Sequence, residues 1–392
     1  MADNILILGN GFDLAMKRNT KYEDFLDFAY RLRDNSITED ETRFLTEKFG
    51  SLKEITDKAN KNLFLDYMFD NKDKLGEGWA NIETVISDIA IVLSEIKNNS
   101  NIYFAFLRKG PRYLELDTLE KRPDYIWLKF VLGQFDYKIF DEGIHFNVPR
   151  KLEIVESNFL SSLNDLTDLL EIYLSYLDYQ DFEINKIQVQ PTVLSAITDI
   201  EQSRVINFNY TNTAQELFGI SEENIHFIHG RIDIDRQLSP INTMVFGIED
   251  KNESSITPDL IPYQKYYQRI IKETGNQFEK FFKMNENSAY DVNGEWRVVP
   301  KNILVFGHSV DPLDKEIFQK CFKIAEGGEA ILNRYRFIFT YYDEIAKHSI
   351  VKNLAIILGK EKIIELTGNG KIKFVKSDDV DGMREVLLSE KQ

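Results

Sequence analysis

The sequence predicts an α/β fold in which a mainly parallel sheet carries a large helical insertion after its first strand. Short apolar runs begin the chain at 5–8 and recur after residue 200. Continuous apolar runs are typical of strands that helices cover on both faces. The sequence between these runs is dominated by the apolar periodicity of helices. The later strand candidates are 204–210, 225–230, 243–247, 302–307, 336–342 and 371–375.

The helical stretch that follows the first strand candidate is predicted to be a domain of its own. Apolar residues recur at helical spacing over 82–96 and 160–177, so each segment presents one apolar stripe. We therefore expect residues 1–21 and 200–392 to form the sheet domain and residues 22–199 to form a helical insertion domain.

Composition and charge narrow the classes of partner. The 392 residues carry a formal net charge of -16, whereas tight binding to nucleic acid normally needs a basic surface, so nucleic acid is not expected as a partner. A single cysteine, Cys321, excludes an internal disulfide and a four-cysteine zinc site, and no metal is predicted. The sequence shows neither a secretory signal nor a stretch of membrane-spanning length, so we expect a cytoplasmic protein that has no membrane partner.

The first strand candidate ends in Gly9-Asn10-Gly11, which Phe12 and Asp13 follow. In a doubly wound sheet, such a turn leads into a helix whose N–H groups face the phosphates of a nucleotide, and glycine lets the ligand approach. The third glycine of the dinucleotide fingerprint is missing here. The alternative interpretation is a plain strand-to-helix turn in which Asp13 interacts with the helix dipole.

The strand candidate 204–210 carries Asn207 and Asn209 on one face and continues through Tyr210 into Thr211. Asparagine is depleted in strands, so two asparagines at the carboxyl end of an apolar run indicate polar groups that face a crevice. The alternative interpretation is that both amides cap the following loop and helix.

Two histidines lie in the run IHFIHG. His226 and His229 are three residues apart, so in a strand they point to opposite faces and do not share a metal. His229 precedes Gly230 at the end of the strand, where ligands bind in open α/β sheets. A neutral imidazole there can act as a general base. We interpret His226 as a hydrogen-bonded core residue, and a core role is also the alternative for His229.

The strand candidate 302–307 leads into Gly307, His308 and Ser309. This turn repeats the order of strand, glycine and polar residue, which places Gly307 and Ser309 where they could approach a ribose or a phosphate. The alternative interpretation is an ordinary helix N-cap, formed by Ser309, Asp311 or Asp314.

Two further motifs give weaker signals. Gly247 and Glu249 repeat the turn pattern after 243–247. Trp79 and Glu83 lie four residues apart, so they share one face of a helix. The alternative for the second motif is a core tryptophan beside a solvated glutamate.

The main turns are expected to meet at one edge of the sheet. The carboxyl ends of parallel strands lie together, and ligands of open α/β sheets bind outside them. The turns at 9–13, 209–213, 229–231 and 307–309 therefore predict a nucleotide site on a Rossmann-like sheet.

Taken together, the motifs resemble those of the AbiH family of bacterial phage abortive-infection proteins. They occur in the order of that family over almost the whole chain. The family in turn is similar to the sirtuin fold, in which comparable turns surround NAD. The quoted motifs are ILILGNGFDLA with TKYEDF, W-x-x-I-E at 79–83, INFNYTNT, IHFIHG and VFGHSVDPLD.

The likeness to sirtuins implies a role for each motif. Three residues, Gly9, Gly11 and Phe12, correspond to the sirtuin glycine turn. Asn209 corresponds to the asparagine near the nicotinamide ribose, and His229 to the catalytic histidine. Residues 307–309 would lie near the adenosine ribose. The four cysteines of the sirtuin zinc ribbon are missing, so NAD cleavage with water as the acceptor is a closer analogue than protein deacetylation. Asp13 replaces a serine of the sirtuin turn, and Thr211 stands where an aspartate is usual.

The implied function is an antiphage effector that hydrolyses NAD, its substrate, and so stops the growth of infected cells. Cleavage of the nicotinamide–ribose bond develops oxocarbenium character. Asn209 would orient the ribose hydroxyls or the water, His229 would accept a proton, and Asp13, or Glu83 in its place, would stabilise the positive charge. The residues expected to hold the nucleotide are Gly9, Asn10, Gly11, Phe12, Tyr210, Thr211, Gly230, Gly247, Gly307, His308 and Ser309.

Two other function classes stay open at this stage. The first is a sensor that binds a nucleotide or a phage component without turnover, with the helical insertion as its interaction surface. The second is a nuclease, which the negative charge and the lack of a dense carboxylate or histidine cluster disfavour. Besides the nucleotide, the partners considered are a phage-derived trigger and a second copy of the chain in a homo-oligomer.

Overall fold

The computed structural model places the chain in two compact units. The sheet unit comprises Met1–Lys21, Leu174–Asp233 and Glu273–Gln392, and the helical unit comprises Tyr22–Tyr173 and Ile234–Lys272. Relative to the predicted division at residue 200, the sheet unit also takes in 174–199 and the helical unit takes in 234–272. The residues that the structure describes are 4–71, 82–99, 124–135, 148–233, 242–248, 258–282, 289–292, 295–298, 301–327 and 335–388.

The strands are numbered along the described residues. They are β1 Asn4–Leu8, β2 Arg204–Asn207, β3 Ile225–Phe227, β4 Ala289–Val292, β5 Glu295–Val298, β6 Lys301–Phe306, β7 Tyr335–Tyr341 and β8 Ile372–Lys376. Six of them form one all-parallel sheet in the order β3-β2-β1-β6-β7-β8, and β4 pairs antiparallel with β5. Counted among themselves, the six strands follow the 3-2-1-4-5-6 order of a Rossmann sheet. The predicted α/β fold with a parallel sheet is confirmed.

The helices are numbered in the same way. They are α1 Asn10–Ala15, α2 Tyr22–Arg33, α3 Glu39–Phe49, α4 Leu52–Asn60, α5 Leu63–Asp70, α6 Ile82–Asn98, α7 Tyr125–Gly133, α8 Val148–Asp178, α9 Thr213–Phe218, α10 Lys265–Ile271, α11 Lys315–Glu326, α12 Glu344–Leu358, α13 Lys360–Gly368 and α14 Val380–Leu388. A single π-helical turn, Tyr179–Ile184, continues α8. None of the helices in the described ranges has the length and apolar character that crossing a membrane requires.

Alternate residues of the strands pack into two apolar layers of the sheet unit. Ile5 and Ile7 belong to the layer that contains Phe318 of α11 and residues of α12. Leu6 and Leu8 belong to the other layer, which contains residues of α1 and α14. This period of two explains the apolar strand sequence, because both faces of the sheet are covered.

The two striped segments that the sequence predicts as helices are both helical, and the second one runs past Tyr173 into the sheet unit. The segment 82–96 lies within α6 and the segment 160–177 lies within α8, so both predictions are confirmed. Local signals set several boundaries: Thr38 begins α3 with a capping box, in which its side chain accepts from the Glu41 N–H and Glu41 accepts from the Thr38 N–H.

Residues 243–247 do not form the predicted strand. The Phe246 N–H donates to Gln268 Oε1 over 3.0 Å, and Gln268 Nε2 donates to the Phe246 carbonyl over 2.8 Å. A buried side-chain amide thus takes the place that a neighbouring strand would fill. Ile248 makes an isolated bridge to Gln264. The segment is apolar because Met244, Val245 and Phe246 are buried, and the prediction of a strand is wrong.

Candidate functional site

The strand order of the sheet reverses between β1 and β6, and Rossmann sheets bind their ligands at such a point. Two glycine turns meet there. The Gly9 N–H donates to the Phe306 carbonyl over 3.0 Å, and the Gly11 N–H donates to the Gly307 carbonyl over 2.8 Å. A Cβ on Gly9 would lie 2.7 Å from the Gly307 carbonyl oxygen, and Gly307 has a φ of +69°. These glycines therefore allow two backbones to pack directly on each other.

The side chains of the first turn tie it to its surroundings. Asn10 is exposed, its Nδ2 donates to the Thr20 carbonyl over 3.1 Å, and its Oδ1 accepts from Thr20 Oγ1 over 2.7 Å. Phe12 is 1% exposed. Its ring centre lies 5.8 Å from that of Phe218 and 6.2 Å from that of Phe306. Phe12 thus anchors the turn in the apolar layer.

Asp13 is buried in a polar cluster of the sheet unit. Its Oδ2 accepts a hydrogen bond from Thr211 Oγ1 over 2.6 Å. Thr213 Oγ1 in turn donates to Thr211 Oγ1 over 3.1 Å and accepts from Arg18 Nη1. Burial raises the pKa of Asp13, while Arg18 and the two threonines oppose the rise. The carboxyl group of Asp13 is therefore buried within the protein, where it is hydrogen-bonded to Thr211.

Arg18 joins this group to the end of α8 and the π-helical turn. Its side chain is wholly buried and lies 2.5 Å from Asp178 Oδ1 and 2.7 Å from Asp181 Oδ2. Burial raises the pKa of Asp178 to about 6, although Arg18 lowers it. Burial alone would lower the pKa of Arg18, but the surrounding carboxylates, Asp178 first, raise it above its ordinary value. The arginine cluster is defined as Asp13, Arg18, Asp178, Asp181, Thr211 and Thr213.

The two asparagines after β2 bond within and beside their turn. Asn207 Oδ1 accepts from the Asn209 N–H over 3.0 Å, and Asn207 Nδ2 donates to the Thr211 carbonyl over 3.4 Å. Asn209 Nδ2 donates to the Gly9 carbonyl over 3.0 Å. Tyr210, which follows Asn209, is half-buried. Asn207 therefore shapes the turn, while Asn209 links the carboxyl ends of β1 and β2.

The structure brings His229 and His308 to the two oxygens of one carboxylate. His229 Nε2 lies 3.0 Å from Asp314 Oδ1, and His308 Nε2 lies 3.4 Å from Asp314 Oδ2. The side chain of His229 is 8% exposed, that of His308 is 6% exposed and that of Asp314 is 11% exposed. They are termed the histidine cluster. A carboxylate that contacts a histidine fixes the orientation of its ring, as acid–base chemistry requires.

Aromatic rings and one backbone N–H hold the histidine cluster. The ring centre of Phe208 lies 4.3 Å from that of His308 and 5.6 Å from that of His229. Phe318 approaches His308 at 5.0 Å. His308 Nδ1 accepts a hydrogen bond from the Val310 N–H over 2.8 Å. The orientation of both rings is thus fixed by packing.

A comparison with family models matches residues 5–332 to the family described as bacteriophage abortive infection AbiH. The chain belongs to this family. No curated protein and no solved structure matches the chain. The family indicates a function in phage abortive infection, and the likeness to sirtuins stays a prediction.

The contact of Asp314 with the two histidines is not evident from the sequence of this AbiH protein, which indicates Asp314 only as a possible helix cap. The structure gives the capping bond to Asp311, whose Oδ1 accepts from the Leu313 N–H over 2.9 Å. Asp314 makes no side-chain capping bond to α11. Two aspartates three residues apart, at a turn that needs one cap, are the signal that could have identified Asp314.

Three other residues near the edge have local roles. Gly230 has a φ of +73°, in the left-handed region that favours glycine. Ser309 is exposed, and its carbonyl accepts from Asn353 Nδ2 over 3.1 Å. His226 is 4% exposed and its ring lies 5.6 Å from that of Phe278, in a core position.

Two of the predicted residues lie in the helical unit of this AbiH protein. A Cβ on Gly247 would collide with the Tyr263 carbonyl oxygen, so close approach of that backbone requires glycine. Glu83 Oε1 lies 3.1 Å from Lys265 Nζ, and its side chain is 16% exposed, so Glu83 is a partly buried ion-pair partner and the solvated interpretation is wrong. Trp79 and Glu249 lie outside the described residues.

Cys321 is a buried free thiol in the apolar layer that contains α11. Burial raises the pKa of this thiol, so Cys321 is a neutral core residue. Within the described part of the chain, no three His, Cys, Asp or Glu side chains are grouped in a way that could hold a metal ion.

Proposed function

We propose that this AbiH-family protein acts in abortive infection by hydrolysing NAD at the carboxyl edge of its sheet. The observation that carries the proposal is the contact of 3.0 Å between His229 and Asp314, which follow β3 and β6. Rossmann sheets bind dinucleotides at this edge, and a histidine oriented by a carboxylate is a common form of general base. Loss of NAD would deprive an infected cell of the cofactor of its redox metabolism.

The proposed reaction converts NAD and water into ADP-ribose, nicotinamide and a proton. The C–N bond between ribose and nicotinamide breaks, and its electron pair leaves with nicotinamide as a neutral molecule. The ribose acquires oxocarbenium character. The oxygen of water then bonds to the ribose carbon, and the proton that the water loses passes to His229. Asp314 is a positioning residue that stabilises the resulting imidazolium.

The polar turns supply the other roles in the proposal. Asn209, which is held by the Gly9 carbonyl, would orient the ribose hydroxyls or the water. Asp13 is 1% exposed and bonded to Thr211, so we assign it the positioning of the turn 209–213 in place of direct contact with the ribose. The residues proposed to surround the nucleotide are Gly9, Asn10, Gly11, Tyr210, Thr211, Gly230, Gly307, His308 and Ser309.

A second candidate function is nucleotide sensing without turnover. The observation that favours it is the burial of the proposed reactive groups, since His229 and Asn209, taken as whole residues, are each 6% exposed. Catalysis requires the edge to open so that water and ribose reach these side chains, whereas a sensor needs only the outer surface of the turns. The two functions differ in whether nicotinamide is released.

The test is to incubate the purified full chain with NAD and to measure released nicotinamide by chromatography. We expect release by the wild type and a loss of at least about 100-fold in His229→Gln, because a general base commonly contributes that much. His348→Gln is the matched control, since His348 is an exposed histidine on α12 of the same unit. This variant should keep the wild-type rate.

The same three chains should be expressed in phage-infected cells, because an effector can need its trigger. We expect NAD to fall after infection with the wild type and with His348→Gln, and to stay level with His229→Gln. Equal nicotinamide release by wild type and His229→Gln would overturn the mechanism. Saturable NAD binding in calorimetry without release, together with growth arrest that survives His229→Gln, would establish the sensor.

A further inference from the structure

We propose that the turn Gly307–Val310 fixes the protonation of both histidines in the histidine cluster, with His308 as a positioning residue. In this arrangement His308 and His229 each carry the proton on Nε2, Asp314 is a carboxylate between them, and Nδ1 of His229 is the basic atom. The inference rests on the proposed function for its effect on rate. The proton positions themselves are measurable without a substrate.

The turn Gly307–Val310 has an unusual backbone. Gly307 has a φ of +69° and Val310 a φ of +55°. The left-handed region suits glycine but is a genuine outlier for a β-branched residue. Val310 is 0% exposed and packs in the layer that contains Phe318. Such a conformation persists where the surroundings impose it, which is common at functional sites, and here it directs the Val310 N–H at His308.

The hydrogen bond from the Val310 N–H fixes the tautomer of His308. The Val310 N–H donates to His308 Nδ1 over 2.8 Å, and a donor can bond only to a ring nitrogen that has no proton. In neutral His308 the proton is therefore on Nε2. That nitrogen lies 3.4 Å from Asp314 Oδ2, so its N–H dipole acts on the carboxylate.

The aromatic rings packed against the two imidazoles hinder rotation of these imidazoles. Phe208 meets His308 edge-on, with ring centres 4.3 Å apart and planes 72° apart, and Phe318 meets it at 5.0 Å and 69°. Phe208 also meets His229 at 71°. Rotation of either imidazole about its Cβ–Cγ bond passes through orientations that break these edge-to-face contacts, which stabilise aromatic pairs. A half-turn of His308 would also put a ring carbon in the place of Nδ1 and lose the bond from the Val310 N–H.

The charge state of Asp314 determines which ring nitrogen of His229 carries the proton. The N–H of His308 favours the charged form of Asp314, and a carboxylate has acceptors only. His229 Nε2, which lies 3.0 Å from Asp314 Oδ1, must then be the donor. In the neutral ring the lone pair that can take a proton is on Nδ1, so this atom is the base that the proposed reaction uses.

The direct test is long-range hydrogen–nitrogen NMR on the full chain with ¹⁵N-labelled histidine near neutral pH, assigned with His→Gln variants. We expect His308 and His229 each to show a protonated Nε2 and an unprotonated Nδ1 without averaging. The exposed His348 should show the averaged shifts of two exchanging tautomers. A protonated Nδ1 on neutral His308 or His229 would overturn the proposal.

Two variants of His308 separate its two contacts. His308→Gln places an amide donor where Nε2 faces Asp314, whereas His308→Asn places an acceptor where Nδ1 meets the Val310 N–H. We expect kcat of His308→Asn to fall about tenfold below that of His308→Gln at similar KM, as for other partners that orient a histidine. We also expect His229 to lose its single tautomer in His308→Asn.

The outcomes separate this inference from the proposed function. Equal kcat in the two variants, or an unchanged His229 tautomer in a folded His308→Asn, contradicts the role of His308. If the wild type shows the expected tautomers but releases no nicotinamide, the proposed function fails and the assignment of the protons holds.

Discussion

The arginine cluster and the histidine cluster belong to one sheet unit, but they hold charge in opposite ways. The arginine cluster places one guanidinium among three carboxylates, those of Asp13, Asp178 and Asp181. In the histidine cluster a single carboxylate lies between two imidazole rings, and an imidazole, unlike a guanidinium, can be neutral. Removing a partner from the first leaves a buried charge uncompensated, whereas the second can redistribute a proton. The arginine cluster is therefore expected to stabilise the fold, and the histidine cluster is the one that suits the proposed acid–base chemistry.

The largest expected effect is that of Arg18→Met. The change removes the only guanidinium of the arginine cluster, whose side chain is wholly buried, and leaves its carboxylates without their counter-ion. Breaking a buried ion pair in this way costs about 3–5 kcal/mol. We expect a decrease of that size in the free energy of unfolding, measured by urea denaturation followed by circular dichroism.

Two further variants calibrate this effect. Arg384→Met breaks an exposed pair of 2.8 Å with Asp381 in the same unit, and exposed pairs contribute less than about 1 kcal/mol. Asp314→Asn in the histidine cluster should cost about 1 kcal/mol, because its partners can be neutral. If Asp314→Asn destabilises as much as Arg18→Met, the histidine cluster also depends on a buried charge, and the two clusters do not differ.

The pH dependence of stability is the second way to test the arginine cluster. Folded Asp178 has a pKa of about 6, raised by burial from an ordinary value of 3.8. The folded chain therefore binds more protons than the unfolded chain between these values, so the contribution of Asp178 to the free energy of unfolding falls as pH rises through this window. The shift corresponds to about 3 kcal/mol.

The measurement compares wild type with Asp178→Asn by urea denaturation from pH 4 to pH 7. We expect the free energy of unfolding of the wild type, relative to the variant, to fall by about 2–3 kcal/mol up to pH 6 and then to level off. Asp13, whose pKa burial also raises, is present in both chains. A difference that is constant with pH would mean that Asp178 is ionised throughout.

The sequence could predict the features of this edge that depend on neighbours in the chain. A short apolar run that ends in Gly9 or Gly307 indicates a strand and a turn, and the structure has β1 and β6 there. His229 was expected at the end of a strand for the same local reason. The prediction of a strand at 243–247 is wrong because the backbone there bonds to the side chain of Gln268. No local sequence pattern indicates such a partner.

The polar partners could not be predicted, because the topology chooses them. His229 and Asp314 are 85 residues apart, and Arg18 and Asp178 are 160 residues apart. Arg18 carries no local signal at all. The turn that contains Asp13 suggests a ligand for this acid, whereas its partner in the structure is Thr211, in the turn that follows the neighbouring strand β2.

The smallest predicted effect tests whether the hydroxyl of Thr211 stabilises a charged Asp13. Thr211 Oγ1 donates to the carboxylate of Asp13 over 2.6 Å, and Thr340 Oγ1 donates to the neutral carbonyl of Val305 over 3.0 Å. Both threonines are buried in the sheet unit, so Thr211→Val and Thr340→Val form a matched pair. Hydrogen bonds to charged groups contribute about 1.5–3 kcal/mol and neutral ones about 0.5–1.5 kcal/mol, so Thr211→Val should cost about 1 kcal/mol more in urea denaturation at pH 8.

The pH dependence of that excess decides its origin. Protonation of Asp13 removes the charge that the Thr211 hydroxyl stabilises, and burial raises the pKa of Asp13 above 3.8. The excess cost of Thr211→Val should therefore shrink as pH falls through the folded pKa of Asp13, while the cost of Thr340→Val stays constant. If the excess of about 1 kcal/mol is still present at pH 4, Asp13 is ionised at that pH. If no excess is found at either pH, Asp13 is neutral in the folded chain at both values, and the arginine cluster then holds two carboxylates rather than three.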